Sequence, residues 1–222
     1  MQYFSNDFVA FFKELAANNN KDWFDANRKR YESSVKRPFS EFVTALINEV
    51  HKDDPAVMIE AKDAIMRINR DIRFAKDKTP YNVHVSAIVS AGGKKDKTIP
   101  GLFIRITPEE IQMLGGAYVL EKEQLHQVRS AIANDPKGFE KLLNDNQFAE
   151  RYGELQGEKN KRLPPEFVAA AETQPLLFNK GFYYSSTLPV KLITSDELVA
   201  EVMELYKAGK PMKQFLSWAL GH

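Results

Sequence analysis

Residues 70 to 81 read RDIRFAKDKTPY, four cations and two carboxylates interleaved with Phe74 and Tyr81. Guanidinium forks and ammonium groups beside an aromatic ring suit phosphate, carboxylate or nucleotide ligands, because the fork matches planar oxyanions and the ring offers a stacking face. Converging at one end of a sheet, Arg70, Arg73, Lys76 and Lys78 would supply the charge, and Tyr81 a phenol and a ring. Asp71 and Asp77 would hold those side chains in place, or act as acid–base groups if desolvated. Lys94, Lys95 and Lys97 of the AGGKKDKT stretch would reinforce the field from a neighbouring loop. This reading makes the protein an anion-binding domain for a phosphorylated small molecule or a nucleotide.

Two other readings compete with it. Lys, Asp and Thr-Pro are good turn chemistry, so the charges serve equally well as a solvated loop in which Arg70 pairs with Asp71, Asp77 or a helix carboxylate. The protein is then a structural or interaction protein, and the segment a salt-bridge network. Alternatively, Arg67, Arg73, Phe103, Arg105 and Tyr118 would make the polar sheet face a nucleic-acid surface, bases stacking on its aromatics. Against this, Lys plus Arg number 31 and Asp plus Glu 30, whereas non-specific DNA binders draw their affinity from a basic excess.

Other chemistries find less support. The chain has no cysteine, which excludes disulfides, thiolate zinc sites and cysteine nucleophiles. Its histidines, His51, His84, His126 and His222, show no metal-ligand spacing, so neither a metal nor a cofactor is expected. His84 lies beside the charged segment but reads as structural or solvated, and His126 as a surface or boundary residue. AGGKKDKT lacks the first glycine of a phosphate loop, and no nucleophile elbow is present. The pair Gly92-Gly93 reads as a turn, and Gly115-Gly116 as a bulge or close strand contact.

The elements that must position these residues follow from periodicity. Phe8, Phe11, Phe12 and Leu15 form a helical stripe. Asn18 to Asn20 stop that helix, by a left-handed asparagine, and cap a second one carrying Trp23, Phe24, Tyr31 and Val35. A third starts near Pro38 and buries Phe39, Phe42, Val43, Leu46, Ile47 and Val50. The period then changes to 2, predicting strands over 65–74, 83–90, 101–107 and 111–119. On the first of these Met66, Ile68, Arg70, Ile72 and Phe74 share the inward face, so Arg70 would be an inward charge in need of a partner. Helices return from residue 121, residues 153–190 read as irregular wrapping, Thr194 to Glu197 matches a capping box, and Pro211 starts a last helix. The expected fold is α+β, a single domain over 1–222. It comprises an antiparallel meander of four or slightly more strands with helices mainly on one face, three N-terminal helices and further C-terminal ones.

The opening MQYFSNDFVAFFKEL has neither the basic lead nor the continuous apolar stretch of a signal peptide, and Thr79 to Gly93, the longest uncharged run, is too short and polar to span a bilayer. A soluble, cytoplasmic protein with no membrane partner is expected. Beyond these patterns, RDIRFAKDKTPY resembles the signature of a family of bacterial and fungal proteins, domain of unknown function family 2461. FFKELAANNNKDWFDANRKRYE, GLFIRITPEE, MLGGAYVLEKEQLHQVRSAI, KRLPPEF and LLFNKGFYYSSTLP are similar to it in turn, so the resemblance spans nearly the whole chain. It implies one α+β domain and no particular activity. It carries over Asn19, Trp23, Phe24, Arg70, Asp71, Arg73, Phe74, Lys76, Asp77, Lys78, Thr79, Pro80, Tyr81, Gly115 and Gly116. Asn69 stands where an aromatic is more usual and Asn82 where a lysine is common, and the second departure lowers the local positive charge.

Overall fold

The structure is a computed structural model that describes residues 1–222. Helix α1 (Asn6–Ala17) is capped by Ser5, whose hydroxyl accepts from the Asp7 N–H at 3.3 Å, and buries Phe8, Phe11, Phe12 and Leu15. It ends without a left-handed residue: Asn18 sits at φ −132° and donates its N–H to Leu15 at 3.1 Å. A tightened last turn satisfies the carbonyl that a left-handed asparagine would otherwise have served. Asn20 caps α2 (Lys21–Ala26) by accepting from the Trp23 N–H at 2.9 Å. The helical run from Arg28 to Asp53 is continuous rather than restarting at Pro38. It comprises α3 (Arg28–Tyr31), a π turn over Glu32–Lys36, and α4 (Arg37–Asp53). In α geometry the Pro38 ring would clash with the carbonyl four residues back. The helix widens just there, the Arg37 N–H reaching back to Glu32.

Four strands form the antiparallel sheet in the order β1 (Val85–Val89), β2 (Leu102–Ile106), β3 (Glu110–Ala117), β4 (Phe182–Pro189). The α+β architecture is as expected, but two strand assignments change. Residues 65–74 contribute only isolated bridges, Ile65 to Ala87 and Asn69 to Tyr81, behind the short helix α5 (Ala61–Ala64). The fourth strand is β4, inside the stretch expected to be irregular. Along β2, Leu102, Ile104 and Ile106 are buried while Phe103 and Arg105 are half-buried, and β3 alternates in the same way. The β2–β3 turn is closed by Thr107, whose hydroxyl accepts from the Glu109 and Glu110 N–H groups at 3.1 and 3.0 Å. Gly115 and Gly116 make a close strand contact: a Cβ at Gly115 would lie 2.5 Å from the Tyr184 ring. At Gly116, with φ +95°, a Cβ would lie 2.3 Å from the Phe182 carbonyl oxygen, so only glycine lets β4 approach.

By contacts the chain forms two compact units; one boundary, between Lys95 and Asp96, falls in the loop before β2, and the others fall inside β2, β3, β4 and the last helix. The first (Met1–Lys95, Phe103–Met113, Thr187–Met203) holds the N-terminal helices, and α4 and α5 pack on β1. Its core is aromatic: one run of rings joins Phe42, Phe4, Phe8 and Phe12 to Phe11, which in turn meets Trp23, Phe24 and Tyr31. The second unit (Asp96–Leu102, Leu114–Ser186, Glu204–His222) holds α6 (Lys122–Asn134), α7 (Pro136–Leu143), α8 (Asn146–Tyr152), α9 (Pro165–Ala171) and most of α10 (Leu198–Ala219). A capping box starts α6, with Glu121 and Gln124 bonding reciprocally. No such box forms at Thr194; instead the Ser195 hydroxyl accepts from the Glu197 N–H at 3.1 Å. Pro211 does not start a helix but lies within α10. In the two turns before it the Leu205 and Gly209 carbonyls accept from Tyr152 and Tyr184 at 2.5 and 2.9 Å, and burial raises the pKa of both phenols. No helix is long and apolar enough to cross a membrane.

Candidate functional site

Residues 66 to 86 form an irregular two-stranded arm. Main-chain bonds run from Met66 to Ser86 (2.9 Å), from Asn82 to Ile68 (2.8 Å) and from Arg70 to Pro80 (2.9 Å). The arm is fastened beside its last rung. Asn19 donates its side-chain amide to the Tyr81 carbonyl at 2.9 Å and accepts the Tyr81 N–H at 3.1 Å. The Tyr81 ring stacks on Phe24 with centroids 4.0 Å apart and planes at 16°, leaving the residue 6% exposed. Tyr81 is therefore a core residue, and its ring face is already taken.

Above Tyr81 the segment divides into an inner and an outer half. The inner half is a mutually bonded polar network in which Arg70 is half-buried and the Asp77 side chain is still 62% exposed. Arg70 Nη1 donates to Asp77 Oδ2 at 2.5 Å, to the Thr79 carbonyl at 3.1 Å and to the Thr79 hydroxyl. Asp77 also accepts the Thr79 N–H and hydroxyl, each at 2.9 Å. These donors, the Thr79 N–H first, then Arg70 and the Thr79 hydroxyl, lower the Asp77 pKa to about 2. Asp77 thus stays ionised at neutral pH and holds no proton to give. The inward charge foreseen at Arg70 is a half-buried one, with 25% of its side chain exposed and its partner in the same arm.

The outer half faces solvent. Arg73 grips Asp71 through Nε at 2.9 Å and Nη2 at 2.7 Å, and that pairing lowers the Asp71 pKa and raises that of Arg73. Lys78 Nζ donates to the Ile72 carbonyl at 2.9 Å, and Lys76 is exposed and bonded to nothing. Phe74, expected to face inward with Met66 and Ile68, is instead 95% exposed, with the Arg73 guanidinium 6.0 Å from its ring centre. Lys94 does not add to this field; its ammonium donates to the Lys62 carbonyl and, at 3.0 Å, to that of Ile65.

The predicted residues are thus brought onto one arm but not into one cup. Arg70, Asp77 and Tyr81 build the arm, while Asp71, Arg73, Lys76 and Lys78 line its tip. Sequence reasoning put Phe74 on the wrong face and left Thr79 out of the network, although Asp-x-Thr is a legible signal for a side-chain-capped turn. At the base lies a small cavity of about 20 Å³, bordered by Tyr31, Phe39, Ile68 and His84. Burial, reinforced by the Arg105 charge, pushes the His84 pKa down to about 4, so this histidine is neutral at pH 7. The proposed nucleic-acid contacts scatter: Arg67 and Arg73 belong to the arm, Phe103 and Arg105 to a half-buried face, and Tyr118 to the other unit. No group of three or more His, Asp or Glu residues is gathered as a metal ion would need.

An α+β scaffold that carries a cationic arm, braced beside its last rung by Asn19 and Phe24, is the class of structure these observations define. The chain belongs to the family described as conserved hypothetical protein (DUF2461), whose pattern matches residues 7–215. No curated protein and no solved structure matches it.

Proposed function

We propose that the protein binds a phosphate-bearing anion, a nucleotide or a phosphorylated small molecule, at the tip of the arm. The observation that carries this reading is Phe74, an aromatic ring 95% exposed beside the Arg73 guanidinium, in a segment that also carries Lys76 and Lys78. Leaving a phenylalanine in water forgoes its burial energy, and a base or sugar face stacked on it would recover part of that loss. Lys76 offers an ammonium with no competing partner, and Arg73 can exchange its single carboxylate for a phosphate oxygen. Arg70, Asp77 and Tyr81 then act as positioning residues that hold the tip in shape.

Isothermal titration with a nucleoside triphosphate and with inorganic phosphate tests this. Stacking contributes about 1–3 kcal/mol per base, so Phe74→Ala is expected to weaken nucleotide binding about tenfold or more while barely changing phosphate binding. Lys76→Glu is expected to weaken both. Absence of binding to the unmodified protein, or identical binding by Phe74→Ala and Lys76→Glu, would overturn the reading. The second reading, a purely structural segment, draws its support from the mutually bonded Arg70–Asp77–Thr79 network and is the one left standing in that case.

A further inference from the structure

A second candidate site lies in the first unit, away from the arm. Between α1 and the 3₁₀ turn Val190–Thr194 runs an open groove of about 400 Å³. Val9, Ala10 and Val190 are its apolar lining residues, and Lys13 and Lys191 line it as well, one from each element. Its volume falls within the range of small-molecule sites, which are mostly apolar with a few placed polar groups.

The charge distribution around it is one-sided, and α1 shows why. The acidic residues of that helix, Asp7 and Glu14, are both drawn to Arg30, which binds Asp7 at 2.6 Å and Glu14 at 2.6 Å. Asn6, Val9, Ala10 and Lys13, spaced i, i+3, i+4 and i+7, form the neighbouring stripe and contain no acid. Neither Lys13 nor Lys191 pairs with a carboxylate, although most cations on the adjoining helices do. Asp196 and Glu197 follow the turn but are not among the groove's walls. Two ammonium groups without carboxylate partners in one groove with aliphatic side chains complement one ligand chemistry: an anionic head on a short hydrocarbon chain.

We infer that this groove binds an amphipathic carboxylate, its chain lying on Val9, Ala10 and Val190 and its head between Lys13 and Lys191. The site is independent of the arm and shares no residue with it. The probe is octanoate, with octanol as the neutral amphiphile and inorganic phosphate as the bare anion, each titrated into the full chain and followed by backbone amide shifts and calorimetry. Octanoate is expected to shift the amides of α1 and residues 190–194, and octanol and phosphate to do so far more weakly. Lys13→Glu/Lys191→Glu, a surface change that leaves the core intact, is expected to lose about tenfold in affinity. Phe74→Ala is expected to bind octanoate as the unmodified protein does, which separates this site from the arm. Octanol acting as strongly as octanoate, undiminished binding by the double variant, or shifts confined to other residues would each overturn the inference, as would no binding at all.

Discussion

The tetrapeptide Lys-Asp-Lys-Thr occurs twice, at residues 76–79 and 95–98, and both copies fold into the same local turn. Asp77 accepts the Thr79 N–H and hydroxyl at 2.9 and 2.9 Å; Asp96 accepts those of Thr98 at 3.0 and 2.6 Å. There the likeness ends. Arg70 from the opposite side of the arm bonds both Asp77 and Thr79, and Tyr81 two residues on is clamped by Asn19 and stacked on Phe24. The second copy has no arginine on its aspartate, and its place two residues on is taken by Pro100. Identical local sequence makes an identical turn, because the bonds that define it span two residues. What the turn is attached to, and therefore whether it can present a rigid surface, comes from residues far away in the chain.

The largest expected effect comes from cutting the first copy loose. Tyr81→Ala removes a buried stacked ring and is expected to lower stability by about 3 kcal/mol, measured by urea unfolding. Pro100→Ala, at the matching place of the second copy, removes a smaller, non-aromatic buried ring and should cost clearly less than Tyr81→Ala. Equal costs would show that the anchoring of Tyr81 is not what separates the two turns.

Next in size is the pair Asp77→Asn and Asp96→Asn. At Asp77 one oxygen accepts the Thr79 N–H and the other accepts Arg70 and the Thr79 hydroxyl, so an amide loses the second oxygen and the charge. At Asp96 a single oxygen accepts both bonds, and an asparagine oxygen can keep them; the fall in unfolding midpoint should be clearly larger for Asp77→Asn. Arg70→Met in the background of Asp77→Asn should then cost less than it does alone, since the Arg70–Asp77 contact is already broken and only the Arg70 bonds to Thr79 remain to be lost. Full additivity of the two would mean that the Arg70–Asp77 bond contributes nothing.

Acid titration sharpens the comparison further. The folded-state pKa of Asp77 is lowered, so its contribution is complete above the unfolded value of about 3.9 and is lost as the pH falls through about 2. His84 acts earlier. Its folded pKa is about 4 against an ordinary 6.5, so the folded state resists its protonation and stability declines from about pH 6.5 down to about 4. His84→Gln should flatten the upper window and Asp77→Asn the lower one, seen as unfolding midpoints across the pH range. A single undivided slope left unchanged by either variant would contradict these assignments. The smallest effect is expected at Lys97→Ser, an exposed change in the second copy, which should move stability by less than about 0.5 kcal/mol. Lys76→Ser should be equally mild for stability yet visible in ligand binding.

Much of this was legible in the sequence, for reasons that differ by element. The stripe at Phe8, Phe11, Phe12 and Leu15 specified α1, and the alternation of β2 with the short turn at Thr107 specified the β2–β3 hairpin, because both patterns are local. Gly115-Gly116 announced a close contact. Residues 65–74 misled because they alternate like a strand, yet strand identity depends on a partner. The fourth place in the sheet goes to β4, whose Ser185, Ser186 and Thr187 weaken the apolar signal. Phe74 was assigned to the inward face on the strength of that alternation, and it lies outside once the strand is gone.

By itself, then, the amino-acid order determined α1, the β2–β3 hairpin, the Asp-x-Thr turns and the family, since each is written in residues close together or in a pattern along the chain. Only the tertiary structure decided that Arg70 and Asp77 neutralise one another, that Tyr81 enters the core against Phe24, and that Phe74, Lys76 and the Lys13–Lys191 groove remain free. The reason is physical. Ion pairing and burial fall off within a few ångströms, and which groups come that close is set by contacts between residues remote in sequence.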